Sequence, residues 1–349
     1  MKCFYHDDLD GQAAGFCVYT WAGISEPYGS CDVMHPINYG QPFPFDIIEP
    51  DEQVWIVDYS IKPDEMRRLL RITPRVTWID HHKDAIDQYD DFEEEIAGVR
   101  IDGEAGCVLA WKYLHWWSAR GQAPFDLARD RSDIYAVPRM IELVGDRDVW
   151  VWKHGDETKH FFLGSQIHDT SPCSEFWHRC MDHEVEDLPL PNTGNRAARI
   201  RGEAFWEKLL EDGATIEKFI DKDDEKLNNL LGFECEFEGH NCWCVNRPLI
   251  SSDRCGDRIN RYDAIIGFSY DEKQWKVELR SSKVDVSEVA RKHGGNGHVP
   301  AAGFRCDSLP FIRKEDRALL LERISELDKQ VRVYARELEC MGYTELLPE

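Results

Sequence analysis

The chain has 349 residues, 42% of them hydrophobic and 31% charged, and carries a formal net charge of -24. That length predicts two domains, and the absence of any run of about 18 apolar residues excludes a helical membrane span. The acidity disfavours extensive binding of long duplex nucleic acid, because most of the surface repels a polyanion, while a small anionic substrate held by local cations and metals stays compatible with it.

The N-terminal segment MKCFYHDDLDG lacks the apolar stretch of a signal peptide, so a cytoplasmic location is expected. The 12 cysteines are scattered and read as reduced core thiols. Cys242 and Cys244 form a C-x-C without a second pair at zinc-ribbon spacing and read as structural.

In chain order, the first expected element is a buried strand from Met1 to Tyr5, ending at His6. A helix over GQAAGFCVYTWAG follows. A second strand covers Val54 to Val57 and ends at Asp58. A helix over KPDEMRRLLRI starts at Pro63, a residue favoured in the first helical turn. A third strand runs from Val76 to Ile79 and ends at Asp80. These runs are short, apolar and rich in β-branched and aromatic residues. Their alternation with helices predicts an α/β layer with a mostly parallel sheet. Further helices are expected over Ala105 to Trp117 and from about Asp133 to Val144, ending at Gly145. Pro172 to Asn195, containing HEVEDLPLPNTGN, reads as a loop or linker, and Arg196 to Leu231 as a solvated, charged helix.

From Gly232 the pattern changes. FECEFEGHNCWCVN, YDAIIGFSYD and WKVELRSS read as partly antiparallel strands. The helix VSEVARKHG, the glycine-rich turn GGNGHVPAAGF and a charged helix from about Lys314 to Met341 follow. The expected organisation is a catalytic domain over residues 1–190, a helical linker over 191–231 and a smaller α/β domain with a mixed sheet over 232–349.

His6, Asp8 and Asp10 alternate, so an extended backbone would put all three on one face. Asp58 ends the second strand, and Asp80, His81 and His82 end the third. Titratable groups thus collect at the C-terminal ends of parallel strands, where open α/β sheets form their ligand crevice. Asp146 and Asp148 follow the helix ending at Gly145. So many carboxylates in one crevice require countercharge, which divalent metals supply. Mixed aspartate and imidazole ligands suit Mn²⁺, and Mg²⁺ or Co²⁺ less specifically. Two ions sharing one carboxylate can activate water and stabilise the leaving oxygen of a phosphoester. Asp8-Leu9-Asp10-Gly11 also resembles the nucleophile motif of haloacid-dehalogenase phosphatases, but Gln12 stands where that family has Thr, and Asp80-His81-His82 is left unexplained.

Taken in order, FYHDDLDGQAAG, VDYS, IDHH and GDRDVW resemble the four motifs of the DHH phosphoesterases. GGNGHVPAAGF, preceded by ELRSS, is similar to the glycine-rich element of the DHH-associated C-terminal domain. The resemblance covers both ends of the chain, and HxDxDG is most similar to the nanoRNase B-like branch, which degrades short oligonucleotides. It implies that His6 and Asp8 bind one metal, Asp10 and His81 a second, and that Asp58 bridges them. Asp80 and His82 would be catalytic, with His82 facing the scissile phosphate. A motif-four aspartate completes the second site. The helix end favours Asp146, the adjoining Val-Trp favours Asp148, and spacing does not choose. Arg280, Ser281, Gly294, Gly295, Gly297 and His298 would bind substrate. Asn296 replaces a glycine there and is expected to keep the loop by tolerating a left-handed backbone.

The implied activity is two-metal hydrolysis of short oligonucleotides or dinucleotides to nucleoside monophosphates. Alternatives are a RecJ-like single-strand exonuclease, which needs a basic channel, and a cyclic-dinucleotide phosphodiesterase. A pyrophosphatase shares the metal site but does not account for ELRSS and GGNGH. A non-catalytic nucleotide-binding protein, the reading of a different class, should have lost a ligand. No membrane partner is expected, and a homodimer stays open. Trp150 and Trp152 offer base-stacking surfaces, with core packing the favoured reading.

Overall fold

The computed structural model describes residues 1–21, 31–120, 136–183, 196–248 and 252–340. Contacts divide the chain into two units, Met1–Glu217 and Lys218–Glu349.

The first unit holds a five-stranded parallel sheet of β1 (Lys2–His6), β2 (Met34–Ile37), β3 (Val54–Val57), β4 (Val76–Asp80) and β5 (Ala97–Arg100), in the order β2-β1-β3-β4-β5. The three strands expected from sequence are the three central ones. Every residue of β3 and β4 is buried, as strands covered on both faces require. Alternate residues serve opposite cores. Cys3, Tyr5, Trp55, Val57 and Ile79 pack with helices on one face, while Phe4, Ile56 and Trp78 pack with Met66 and Leu69 on the other. The two edge strands were not legible: MHPI carries a proline, which edges tolerate, and AGVR a glycine.

The helices of this unit are α1 (Leu9–Trp21), α2 (Pro63–Ile72), α3 (Lys83–Ile86), α4 (Gly106–Arg120), α5 (Arg139–Asp148), α6 (Asp156–Ser165) and α7 (Glu175–His183). Pro63 opens α2 as expected, and the Glu65 carboxylate accepts the Lys62 amide. Residues 22 and 23 of the first expected helix lie outside the described residues. The helix expected to end at Gly145 instead runs through it to Asp148. Gly145 is a packing residue: a Cβ there would lie 2.7 Å from Val108 Cγ2 of α4. Residues 133–135 of that expectation are outside the described set. The expected loop over Pro172–Asn195 is also corrected, since α7 fills part of it, burying Phe176, Trp177 and Cys180; residues 184–195 are not described.

Helix α8 (Arg196–Leu231) is not merely a solvated element. Phe205, Trp206 and Leu209 join the core of the first unit. Further along, buried Asp224 accepts hydrogen bonds from Arg247 and Arg254 in the second unit.

The second unit contains β6 (Gly232–Phe237), β7 (His240–Val245), α9 (Arg258–Arg261), β8 (Ala264–Tyr270), β9 (Trp275–Arg280), α10 (Val286–Lys292), β10 (Asn296–His298), β11 (Ala301–Cys306) and α11 (Lys314–Cys340). Its sheet runs β10-β11-β9-β8-β7-β6 and is mixed as expected: β7 and β8 are parallel and every other neighbour is antiparallel. Met341, the expected helix end, is not described.

One cysteine expectation is corrected. Cys31 and Cys173 are joined as a disulfide, their Cα atoms 6.1 Å apart across 142 residues of sequence. The sequence offered no proximity signal over that separation. Cys242 and Cys244 are buried in β7, as a structural role requires. Among the described residues, no helix is long and apolar enough to cross a membrane.

Candidate metal centre

The strand order places a topological switch between β1 and β3, where chain connections leave in opposite directions and open a crevice at the strand ends. His6 is the last residue of β1, and Asp58 follows β3 directly. The extended stretch expected from His6 to Asp10 does not occur, because α1 begins at Leu9 and Asp10 lies in its first turn. Gly11 permits this tight strand-to-helix turn: its amide donates to Asp8 Oδ1 at 2.9 Å, and a Cβ would lie 2.1 Å from the His6 carbonyl oxygen.

Asp10 is buried. Its two oxygens accept the backbone N–H groups of Gly106 (2.7 Å) and Cys107 (2.9 Å) at the start of α4, where the helix dipole favours an anion. Gly106 is a site residue that the sequence reading missed. A Cβ there would lie 2.8 Å from Asp58 Oδ1 and 3.0 Å from Asp10 Oδ2. Its only signal was a glycine opening a helix.

Asp58 is 1% exposed and takes a left-handed backbone with φ 52°. Strain of this kind in a non-glycine residue persists where the surroundings enforce it and clusters at functional sites. Asp80, fully buried at the end of β4, accepts from the Ser60 hydroxyl, the His81 amide (2.7 Å) and His82 Nδ1 (2.7 Å). This exhausts its carboxylate, so Asp80 is a positioning residue for His82 and does not itself face the crevice. Ser60, named only as part of VDYS, was also missed.

Three ligand groups emerge: His6 with Asp8 and Asp58, Asp10 with His81 and Asp148, and Asp58 with His81 and His82. His6 Nδ1 lies 2.9 Å from Asp8 Oδ2 and 3.8 Å from Asp58 Oδ2. His81 Nε2 lies 3.1 Å from Asp58 Oδ1, 3.4 Å from Asp148 Oδ2 and 3.6 Å from Asp10 Oδ2. Asp58 therefore touches both halves. Asp146 is not in the cluster, against the preference that its place after the expected helix gave it. Its oxygens accept the amides of Lys153 (2.6 Å) and His154 (3.1 Å) and the Thr158 hydroxyl, tying the loop after α5 to α6.

Burial, then the neighbouring carboxylates, push the Asp10, Asp58 and Asp148 carboxyls up, Asp58 to about 8. Burial opposes charge on His6, but hydrogen bonding of its ring to the Asp58 and Asp8 carboxylates outweighs it and raises the imidazole to about 10. His82 is raised to about 9 against its own burial, chiefly by Asp80. Asp58 Oδ1 and Asp148 Oδ2 are buried with no hydrogen bond among the described residues to satisfy them. Crowded carboxylates, orphaned oxygens aimed at one point and imidazole nitrogens beside them form a donor set that fits divalent cations. A cavity of about 390 Å³ adjoins this set, lined by Asp8, Asp10, Gln12, Arg147, Asp148 and Gln166.

Tyr39, unremarked in the sequence, borders the same centre. Its half-exposed ring lies 5.5 Å from His6, 5.8 Å from His82 and 4.8 Å from Tyr59. Trp150 is 43% exposed with left-handed φ, which corrects the core-packing expectation for that residue.

In the second unit, Arg280, Gly294, Gly295, Asn296 and Gly297 line a cavity of about 540 Å³, to which Lys276 adds a cation. Ser281 and His298 do not line it. The Ser281 hydroxyl donates to the Asp263 carbonyl and accepts the Lys283 and Val284 amides, so it braces the turn after β9. His298 is exposed at the end of β10. Asn296 needs no left-handed conformation, since it sits in β10; the positive φ values belong to Gly294 (77°) and Gly297 (143°).

No family model matches the chain. It is 20% identical over 282 residues to an uncharacterized protein, R106, of Acanthamoeba polyphaga mimivirus, a match covering 77% of this chain and 58% of the viral protein. The chain thus spans little more than half of that relative. It is 23% identical over 320 residues to the oligoribonuclease NrnB of Bacillus subtilis strain 168, covering 86% of this chain and 71% of that protein. The chain is similar to an oligoribonuclease and carries the motifs that resemble the DHH phosphoesterases, its DHH tripeptide being Asp80-His81-His82. Among solved structures, RecJ from Thermus thermophilus in complex with Mn²⁺ overlaps 88% of this chain and 49% of its own, at 15% identity and a TM-score of 0.43, a likeness too loose to transfer chemistry.

Proposed function

We propose that the chain is a two-metal phosphodiesterase that hydrolyses short oligonucleotides or dinucleotides to nucleoside monophosphates. The observation that carries this reading is the pair of ligand groups, His6/Asp8/Asp58 and Asp10/His81/Asp148, meeting at Asp58. Two divalent cations held there, Mn²⁺ by the donor set, would acidify a water and neutralise charge developing on the phosphate. Asp10 is held for this role by the α4 amides, and Asp58 by the packing that enforces its backbone. His82, with Nδ1 fixed by Asp80, directs Nε2 away from that carboxylate and, raised to about 9, is protonated at neutral pH and suited to donate to a phosphate oxygen.

Features around the centre support this substrate class. Tyr39 offers an exposed ring beside His6 and His82 on which a base can stack. The cations around the glycine-rich cavity of the second unit suit a terminal phosphate. NrnB, the Bacillus relative, is an oligoribonuclease by name, which favours short RNA. The test is a time course with 5′-labelled RNAs of two to about twenty-five nucleotides and a cyclic dinucleotide, each with Mn²⁺ and with chelator. Fast Mn²⁺-dependent loss of the shortest RNAs supports the proposal. Preference for the longest strands points to a RecJ-like exonuclease, preference for the cyclic substrate to a cyclic-dinucleotide phosphodiesterase, and binding without product to a nucleotide-binding protein.

A further inference from the structure

Beyond β11 the chain continues into the 27-residue α11. Its first turns are tied to the second unit by Lys314 Nζ with Glu234 Oε2 (3.3 Å) and Arg317 with Glu236 Oε2 (2.7 Å). Past that point the helix exposes large apolar side chains: Leu320 at 53%, Ile324 at 59%, Leu327 at 45% and Val331 at 52%. Their spacing of four, three and four residues is the heptad period that puts one apolar seam along a helix. Leu320 and Leu327 fall at d positions and Ile324 and Val331 at a positions, and the sequence extends the pattern with Tyr334 and Leu338. Glu322, Lys329 and Arg336 occupy the opposite, f positions. Leu321 flanks the seam and widens it, while Leu319 and Val333 lie off it.

We propose that α11 pairs in parallel with α11 of a second copy of this chain as a two-stranded coiled coil. Two features of the helix choose this occupant. Ile324 and Val331, β-branched at a, with Leu320 and Leu327 at d, favour two parallel strands over higher assemblies. Charge is also self-complementary in that register. Arg323 at g stands five residues before Asp328 at e, the spacing that joins g of one helix to e of its parallel partner, and twofold symmetry makes the pair twice. Within one helix these residues now hold only exposed pairs, Arg323 with Glu326 (2.7 Å) and Asp328 with Arg332 (2.9 Å), which are weak and exchangeable. The inference is independent of the reaction, since none of these residues belongs to the metal centre.

Sedimentation equilibrium of the full chain tests it. Wild type is expected at twice the 40.6 kDa of one chain at micromolar concentration. Ile324→Glu combined with Leu327→Glu should give the single-chain mass, whereas Lys329→Glu at f should remain dimeric. All three side chains are exposed, so none of these changes opens a core. Arg323→Glu should raise the dimer dissociation constant on the order of tenfold, and adding Asp328→Arg should recover most of it. Leu327→Cys should cross-link to itself on mild oxidation, as only a parallel pairing allows, and Lys329→Cys should not. A monomeric wild type, a trimer, a dimer that survives the Ile324 and Leu327 changes, or a Leu327→Cys protein that fails to self-link would each overturn the proposal.

Discussion

Asp148 Oδ2 lies 3.4 Å from His81 Nε2, while the carboxylate of Asp146, two residues earlier on α5, is spent on Lys153, His154 and Thr158. The two aspartates of GDRD therefore have separable duties. Asp148→Ala should weaken binding at one metal and lower kcat by about 100-fold or more, since even residues behind the ligands cost 10- to 100-fold. Asp146→Ala should keep the metal stoichiometry but lose about 1–3 kcal/mol of stability by orphaning buried donors. Metal titration and thermal melts of both variants distinguish the roles, and the opposite pattern would reverse the assignment.

Gly106→Ala is a sharper probe, because it adds one methyl and no charge. That methyl would lie within 3.0 Å of Asp58 and Asp10, and neither carboxylate can retreat, one being enforced by its backbone and the other bonded to the Gly106 amide itself. A displacement of this size should reduce kcat by about 100-fold while circular dichroism stays native. Unchanged turnover would mean that the two aspartates need not hold these positions.

Asp80 Oδ1 is bonded to His82 Nδ1, so Asp80 is proposed to act through His82. Asp80→Asn keeps the shape, weakens the bond to His82 Nδ1 and should lower both kcat, by about 10² to 10⁴-fold, and the upper pKa of the pH–rate profile. His82→Ala should cost a similar factor, and the double variant little more, because one unit is being removed twice. Additive losses would argue that Asp80 has a separate task.

The metal-free protein should become less stable as pH rises. The folded state holds protons on Asp58 up to about 8, and on Asp10 and Asp148 above their ordinary range, whereas the unfolded chain releases them near ~4. The native state thus binds more protons across that window, and unfolding free energy falls with pH through it. His6 and His82, raised to about 10 and about 9, extend the same sign above the ordinary histidine pKa of ~6.5. Metal binding must displace these protons, so its stabilising effect should grow with pH. Melts at pH 6 and pH 8 with chelator and with Mn²⁺ check both signs. A flat chelator series would show that the centre does not hold the excess protons.

What could be read from sequence follows from range. The central strands announce themselves through continuous apolar runs, and a residue at or just after the end of each, His6, Asp58 and His81, lies in the cluster. The edge strands MHPI and AGVR carry no such signature, since an edge tolerates proline and glycine. His6, Asp8, Asp10, Asp58 and His81, which fall in the candidate ligand groups, were legible as candidates because chemistry restricts their type. Gly106 was not, because its contribution is the absence of a side chain at a point 96 residues from Asp10 in sequence. Ser281 was misread for a related reason: a serine beside a glycine-rich element looks like a phosphate ligand, and only the folded turn reveals that its hydroxyl is occupied. The choice between Asp146 and Asp148 depended on a one-turn extension of α5 through Gly145, which local propensity argues against and packing on α4 supplies.

The most direct measurement is Mn²⁺ stoichiometry at equilibrium, taken alongside hydrolysis of a linear RNA dinucleotide, for wild type and Asp58→Ala. The account predicts two ions per wild-type chain with dinucleotide turnover, and no more than one tightly bound ion without turnover once the shared carboxylate is gone. A wild type that binds fewer than two ions at full activity, or an Asp58→Ala protein that still cleaves the dinucleotide at the wild-type rate, would contradict it.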